Sequence, residues 1–487
     1  MKHVIIVFSL ILLIGSCARP SGSESLEGSR PNIILVMTDD QGYPNLSCLG
    51  HPVLRTPHID ELYTLSTRFT AFHVSPTCAP TRSAMMSGRH EFKNGVTHTI
   101  LERERMSLET TTIIEVLKEA GYTSGIWGKW HLGDEAPYQP ENRGFDEVFI
   151  HGAGGIGQAY ESSCADFPTN SGAGRYFNPV IKHNGVAVKT KGFCTDVFFK
   201  QALGWIKTRK DGDQPFLAYI STNAPHGPMI APEKYRQRFT ELGYNENLSG
   251  YFGMIENIDD NMGLLMSKLK EWDLEDNTLL IFMSDNGQSA GKNVYNAGMK
   301  GNKGTTYEGG TRVPAFYYWK GTLTAGADID KIAAHIDLFP TFAALAGAVI
   351  PGGIQEIDGR NLLPLLESPE VEREDRYLFF HKGRWPKGED PDSSKYGMCA
   401  VRSQRFRLVK NSELYDIEND SGEQVNVFDQ FPEVVKEMQQ AYDDWWKQLG
   451  PLMINEDAAL SPVRPFFEIY YAQEAEGGIP EWQEPAL

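Results

Sequence analysis

Short, unbroken apolar runs recur along the chain, each closed by polar or glycine-containing turns. Asn32–Thr38, Phe216–Ile220 and Thr278–Met283 are of this kind, and Tyr122–Trp127 reads as a further strand. Such a run, without polar alternation, suits a strand covered on both faces. Helical periodicity fills the intervals. Thr56 to Leu62 starts a helix, with Thr56 at the cap, Pro57 in the first turn and Asp60 and Glu61 near the N-terminus. Thr110 to Gly121 is amphipathic and closed by glycine. Tyr251 to Trp272 carries Ile255, Ile258, Met262 and Leu265 on one stripe. Asp259 and Asp260, on that helix, read as solvated or capping charges. Ala334 to Thr341 opens a further helix. Strands alternating with helices predict an α/β fold. From about residue 370 the pattern changes to short strands (Tyr377–Phe380, Ala400–Arg402, Phe406–Val409, Glu413–Asp416) and then a helix from about Pro432 to Leu449.

At the N-terminus, Lys2 and His3 precede an apolar run, Val4–Ile14, that is short for a membrane span and ends in Gly15-Ser16-Cys17. It reads as an export signal. The Ile-Gly-Ser-Cys ending resembles a bacterial lipobox, in which Cys17 is lipidated; ordinary signal-peptidase cleavage nearby is the alternative. The expectation is an exported protein, held by one lipid anchor in the periplasm or at the outer membrane. Residues 18–30 read as a flexible tether. The composition of the whole 487-residue chain is globular, at 41% hydrophobic and 23% charged. A net charge of −18 argues against nucleic acid as a partner. Of the six cysteines, Cys164 and Cys194 are a candidate pair in an oxidising compartment, with free buried thiols as the alternative.

Residues able to do chemistry cluster at the ends of the apolar runs. Asp39-Asp40-Gln41-Gly42 follows the first. Two carboxylates at the carboxyl end of a central strand lie where open α/β sheets place their sites. Hard oxygen ligands suit Ca²⁺ or Mg²⁺, although Asp and Gly also make ordinary solvated turns. Ser284-Asp285-Asn286-Gly287 adds one anionic and one neutral oxygen. In Gly128-Lys129-Trp130-His131-Leu132-Gly133, extended backbone would put Lys129 and His131 on one face and Trp130 on the other. Prolines flank His226 in Pro225-His226-Gly227-Pro228 and limit its conformations. In Cys78-Ala79-Pro80-Thr81-Arg82, a helix starting near Thr81 would aim its N–H groups and positive dipole end at position 78, with Arg82 as a fixed cation. That is a seat for an anion and its nucleophile, although most free cysteines are buried and inert.

In order, these blocks resemble the sulfatase family over roughly residues 31–450. The resemblance rests on Cys-x-Pro-x-Arg with Gly88-Arg89 downstream, Asp-Asp-x-Gly, Gly-Lys-Trp-His-Leu-Gly, Pro-His-x-Pro, Ser-Asp-Asn-Gly and the Lys300–Pro314 block. It implies a large mixed, mostly parallel central sheet flanked by helices, with a smaller C-terminal antiparallel sheet plus helix. The expected divisions are a catalytic domain at 31–369, a C-terminal subdomain at 370–461 and a tail at 462–487. It implies that a maturation enzyme oxidises Cys78 to formylglycine, whose hydrate is the nucleophile, supported by Arg82. Asp39, Asp40, Asp285 and Asn286 would hold Ca²⁺, with Mg²⁺ as the alternative. Lys129 and Lys303 would bind the sulfate, Lys300 being an offset alternative ranked well below. Asp285 would act as base for the attack and His131 for the release of sulfate. His226 would protonate the leaving alcohol, while Glu308 and Arg312 order their loop.

The activity so implied is hydrolysis of sulfate esters on sulfated polysaccharides or oligosaccharides. A phosphate mono- or diesterase is the first alternative, disfavoured by two lysines where a second metal would stand. A non-catalytic lipoprotein that binds sulfated glycans is the second; it predicts loss of a site residue, and none is missing. Gly152 to Gly157 reads as a flexible loop at the cleft rim, with His151 a weak candidate for substrate contact. His381, Arg384 and Trp385 are candidates for choosing the sugar.

Overall fold

The computed structural model describes residues 25–350 and 356–487. The export signal, Cys17 and the first part of the tether lie outside the described residues. The strands are β1 (Asn32–Thr38), β2 (Thr67–Phe69), β3 (Phe72–His73), β4 (Thr123–Lys129), β5 (Glu147–His151), β6 (Val180–His183), β7 (Val186–Lys189) and β8 (Phe216–Ser221). They continue as β9 (Thr278–Ser284), β10 (Ala315–Tyr318), β11 (Asp328–Ile329), β12 (Ala333–Ala334), β13 (Leu378–His381), β14 (Cys399–Arg402), β15 (Phe406–Val409) and β16 (Glu413–Asp416). The helices are α1 (Pro57–Leu65), α2 (Cys78–Ser87), α3 (Ile113–Glu119), α4 (Cys194–Lys207), α5 (Glu233–Glu241) and α6 (Glu246–Glu271). After these come α7 (Glu308–Thr311), α8 (Leu338–Ala346), α9 (Leu363–Glu367), α10 (Pro432–Leu449) and α11 (Pro465–Glu476).

Ten strands form one mixed sheet in the order β11-β2-β10-β9-β1-β8-β4-β5-β6-β7. Its centre is parallel: β1 pairs with β8 and β9, and β4 with β8 and β5. Antiparallel pairs lie toward both edges. The unbroken apolar strands are explained by burial on two faces. Ile33, Leu35 and Met37 pack on one side with α3 and α8, while Ile34 and Val36 pack on the other with α1, α4 and α6. A two-residue ladder joins β12 to β3.

A separate four-stranded antiparallel sheet, β13-β14-β15-β16, sits beside this body. Its alternation is genuine: Phe380 and Ala400 face Ala84 of α2, while Val401 and Leu408 face α10. The small sheet thus packs directly on the helix that begins at Cys78.

Two segments differ from the sequence reading, and one of its open alternatives is decided. Residues 25–30 are not loose tether: Gly28 and Arg30 donate backbone N–H groups to Ala344 and Leu345. The segment after 462 forms α11, with Phe466 fully buried in the core. Cys164 and Cys194 are both buried and free.

Candidate active site

Register gathers the site. Thr38 lies level with Ser284, and Met37 and Gly128 both lie level with Ser221. In parallel strands the carboxyl ends share one edge of the sheet. Asp39, Asp285 and Lys129 therefore emerge together, and α2 brings Cys78 to them. An oxygen from each of Asp39 and Asp285 and the Cys78 sulfur all lie within 4.8 Å of one another.

The start of α2 differs from expectation. It begins at Cys78 itself, after Thr77, so Pro80 falls inside the first turn. A first-turn proline removes an N–H that had no intrahelical partner anyway. The positive end of the helix dipole is thus at Cys78 rather than one turn away. Arg82 is 1% exposed and donates to Asp285 Oδ2 at 2.7 Å. It also donates to the Lys129 carbonyl and Tyr219 hydroxyl, each at 3.2 Å, and to the Ser221 hydroxyl. Tyr219 and Ser221 carried no sequence signal; only the pairing of β8 with β4 reveals them.

Each lysine is locked to a carboxylate. Lys129 Nζ is 2.7 Å from Asp39, with both side chains fully buried. Lys303 Nζ is 2.5 Å from Asp40. Lys300 instead reaches Glu413 and the Tyr415 hydroxyl, outside this group. Burial alone would depress the Lys129 ammonium, but Asp39 beside it, with Cys78 and Asp285, raises it above its ordinary value. Asp40 resists its burial because Lys303, His226 and Asn286 hold the carboxyl well below the usual range. Burial, then the neighbouring Asp39, lifts Asp285 to about 6.

These oxygens fit a hard cation. Asp39 Oδ1 and Asn286 Oδ1 are buried without a hydrogen-bond partner among the described residues. A buried acceptor left alone is costly unless a donor or ion completes it. Asn286 Nδ2 donates to Asp40 Oδ1 at 2.9 Å, which turns its oxygen away from that carboxylate. Asp39, Asp40, Asp285 and Asn286 thus present anionic and neutral oxygens of the kind Ca²⁺ takes.

Two histidines border the site. His131 Nε2 donates to the Thr99 carbonyl at 2.8 Å, which leaves Nδ1 as a buried, unpartnered acceptor. Its φ of +64° breaks the extended segment after β4, so side-chain alternation ends at Lys129. Trp130 does turn the other way, into the core beside Phe145. His226 Nδ1 donates to the Gly227 carbonyl at 2.8 Å, and Nε2 lies 3.9 Å from Asp40. Burial, reinforced by Lys303 and Lys129, pulls His226 down to about 4 against the opposing Asp40. The His226 and Lys303 side chains are 16% and 19% exposed, whereas those of Asp39, Lys129 and Asp285 are wholly buried. The site opens on the His226–Lys303 side.

The Gly152–Gly157 loop is fastened rather than flexible. Asp134 accepts from the N–H groups of Ala153 and Ala165, and Asp166 from those of Gly152 and Gly157. A Cβ on Gly154 would meet the His131 ring at 2.5 Å, so only glycine allows this approach. His151 is 1% exposed, bonded through Nδ1 to the Gly152 carbonyl, and does not face the opening. His381 and Trp385 are buried against Phe92 and Trp446. Arg384 alone of that trio stands at the rim, donating to Thr99 Oγ1 at 3.0 Å. Asp259 is buried and accepts from the N–H groups of His58 and Ile59, so it caps α1. Glu308 is held by Arg402 and Arg407, and Arg312 by the Thr70 carbonyl.

A family model described as Sulfatase matches residues 31–348. A second, described as N-sulphoglucosamine sulphohydrolase, C-terminal, matches residues 301–448. N-acetylgalactosamine-6-sulfatase of Homo sapiens is 32% identical over 374 residues, spanning 72% of this chain and 68% of that protein. Arylsulfatase A of Homo sapiens is 29% identical over 483 residues, spanning 88% and 89%. Among solved structures, Ps i-CgsB in complex with k-i-k-neocarrahexaose superposes with a TM-score of 0.75 at 31% identity, covering 85% of this chain and 92% of that one.

Proposed function

The chain belongs to the sulfatase family and is a sulfuric ester hydrolase, and we propose that it removes sulfate from sulfated poly- or oligosaccharides using formylglycine made from Cys78. The observation that carries this reading is the pair of ion-paired lysines, Lys129 and Lys303, flanking a cation-fitting oxygen set beside Cys78. Phosphoester chemistry on two metals would want a second oxygen set where these ammoniums stand. The names of the relatives support a sugar substrate: one is an N-acetylgalactosamine-6-sulfatase and another binds k-i-k-neocarrahexaose.

Asp39, Asp40, Asp285 and Asn286 would hold Ca²⁺, which supplies positive charge to a sulfate oxygen. A hydrated aldehyde at position 78 supplies a hydroxyl nucleophile and a second hydroxyl whose deprotonation frees the sulfate. The rest falls to the chain. Lys129 and Lys303 neutralise sulfate oxygens without reorganising, since both are already fixed. Asp285, raised by burial, would take a proton from the attacking hydroxyl. His226, on the open side, would give a proton from Nε2 to the departing alcohol oxygen once solvent has protonated that nitrogen, its Nδ1–H staying on the Gly227 carbonyl. His131, with its free Nδ1, takes a proton from the second hydroxyl. Water is the net reactant, and the products are the sugar alcohol and sulfate.

The test is sulfate release from a panel of sulfated oligosaccharides by protein co-expressed with a formylglycine-generating enzyme. Release that disappears in Cys78→Ala supports the reading. Equal release by Cys78→Ala overturns it. Chelation should lower both activity and the unfolding temperature, because a cation bound only by the folded state stabilises it. An unfolding temperature indifferent to Ca²⁺ rejects the cation site.

A further inference from the structure

Two cations beside the site have no anionic partner among the described residues. Lys382 and Arg384 follow β13, and neither forms an ion pair with any described residue, in a chain whose net charge is −18. Most neighbouring cations are paired: Lys300 with Glu413, Lys395 with Asp443, Arg103 with Glu456. Lys382 Nζ would lie 3.5 Å from a Cβ on Gly304, the residue after Lys303. Gly304 in turn donates to the carbonyl of Pro76, two residues before Cys78. Arg384 holds Thr99, whose carbonyl holds His131. The two charges therefore sit beside the loops that carry Lys303 and His131, Lys382 next to the open Lys303 side and Arg384 beside Thr99.

They are also close to each other. After its partial burial, the Arg384 guanidinium is what pulls the Lys382 ammonium below its ordinary value. Both cations bear on His98 as well, which burial and then Arg384 depress to about 3, so His98 adds no charge. Like charges held together without a counter-ion repel, and an anion between them relieves that repulsion.

We propose that Lys382 and Arg384 form an anion-binding subsite that selects substrates bearing a second negative group beside the sulfate to be removed. This rests on the sulfatase reading of the site. The second group is a sulfate ester or a uronate carboxylate; the two share the oxyanion chemistry that a lysine and an arginine bind.

The experiment compares four substrates with protein whose formylglycine at position 78 has been verified by mass. They are 4-nitrophenyl sulfate, an oligosaccharide with one sulfate per neutral repeat, one with two, and one with a single sulfate beside a uronate. Wild type should favour at least one doubly charged oligosaccharide over the singly charged one by tenfold or more in kcat/KM. In Lys382→Ala and in Arg384→Gln that ratio should fall about tenfold, with the loss mainly in KM. Which doubly charged substrate is favoured tells sulfate from carboxylate. An unchanged ratio in both variants, or equal kcat/KM for singly and doubly charged oligosaccharides in wild type, overturns the subsite. Absence of turnover on all four overturns the sulfatase reading instead. Calorimetry of the disulfated oligosaccharide then judges the subsite alone: binding weakened in both variants upholds it, and binding unchanged or absent refutes it.

Discussion

Asp285 and Asp40 are both buried acids facing cations, yet they depend on those cations differently. Asp285 is wholly buried, and Arg82, 2.7 Å away and 1% exposed, is its direct ion-pair partner. Asp40 keeps the Asn286 amide at 2.9 Å and His226 nearby even without Lys303, which is itself partly open to solvent. Removing one partner of a fully buried pair costs about 3–5 kcal/mol. Arg82→Ala should therefore lower the unfolding free energy by about that much. Lys303→Ala should cost clearly less stability but reduce kcat by about 10²–10³-fold, as loss of a preorganised charge does. Urea unfolding and sulfate release on the two variants check this. Equal losses of stability would mean that Asp40 depends on Lys303 as fully as Asp285 depends on Arg82.

At the scale of elements, the site is a set of strand ends plus one fastened glycine loop. That loop sets the space around His131, and a methyl group at position 154 would sit 2.5 Å from the ring. The loop cannot easily retreat, because Asp134 and Asp166 bind it at Gly152, Ala153 and Gly157. His131 must give way, and an ångström of misplacement is worth about 100-fold in rate. Gly154→Ala should thus cut kcat by about 100-fold with little change in unfolding temperature. A variant with full kcat would show that the loop does not position His131. The central strands and the candidate site residues at their ends were readable: burial on both faces leaves an unbroken apolar signature in β1 and β9, which stop at Asp39 and Asp285, while β4 was marked by the Gly-Lys-Trp-His block at its end. The loop's rigidity was not readable. Its clamps come from Asp134, 19 residues before Ala153, and from an Asp166 that looks like any turn residue. The His131 ring likewise rests on the Thr99 carbonyl, a tertiary contact that no local pattern encodes, whereas a helix start at Cys78 agrees with Pro80 as a first-turn proline.

For the whole molecule, the balance of buried titratable groups sets how stability depends on pH. Glu91 and Glu104 are each 1% exposed, with carboxyl oxygens that lack hydrogen-bond partners among the described residues. Burial lifts both to about 8, and Asp134 and Glu102 add to the effect at Glu104. A carboxyl raised on folding contributes stability that is complete below its unfolded value near 4.5 and is lost as pH rises toward 8. Buried histidines work in the opposite direction and in another window. His335 and His381 are pulled by burial to about 4, so their contribution is present above 6.5 and fades as pH falls. Between pH 6.5 and 8 these histidines are silent, and stability should decline with rising pH. The net charge of −18 adds self-repulsion in the same direction, so a single-residue control is needed. Glu104→Gln removes one titration and leaves the shape nearly intact. One proton is worth about 1.4 kcal/mol per pH unit, so the variant's unfolding free energy should fall by about that much less per unit over this range. Urea titrations at several pH values between 6.5 and 8 measure the two slopes. Parallel curves would mean that Glu104 is already ionised in the folded protein and that a buried counter-charge or water satisfies it.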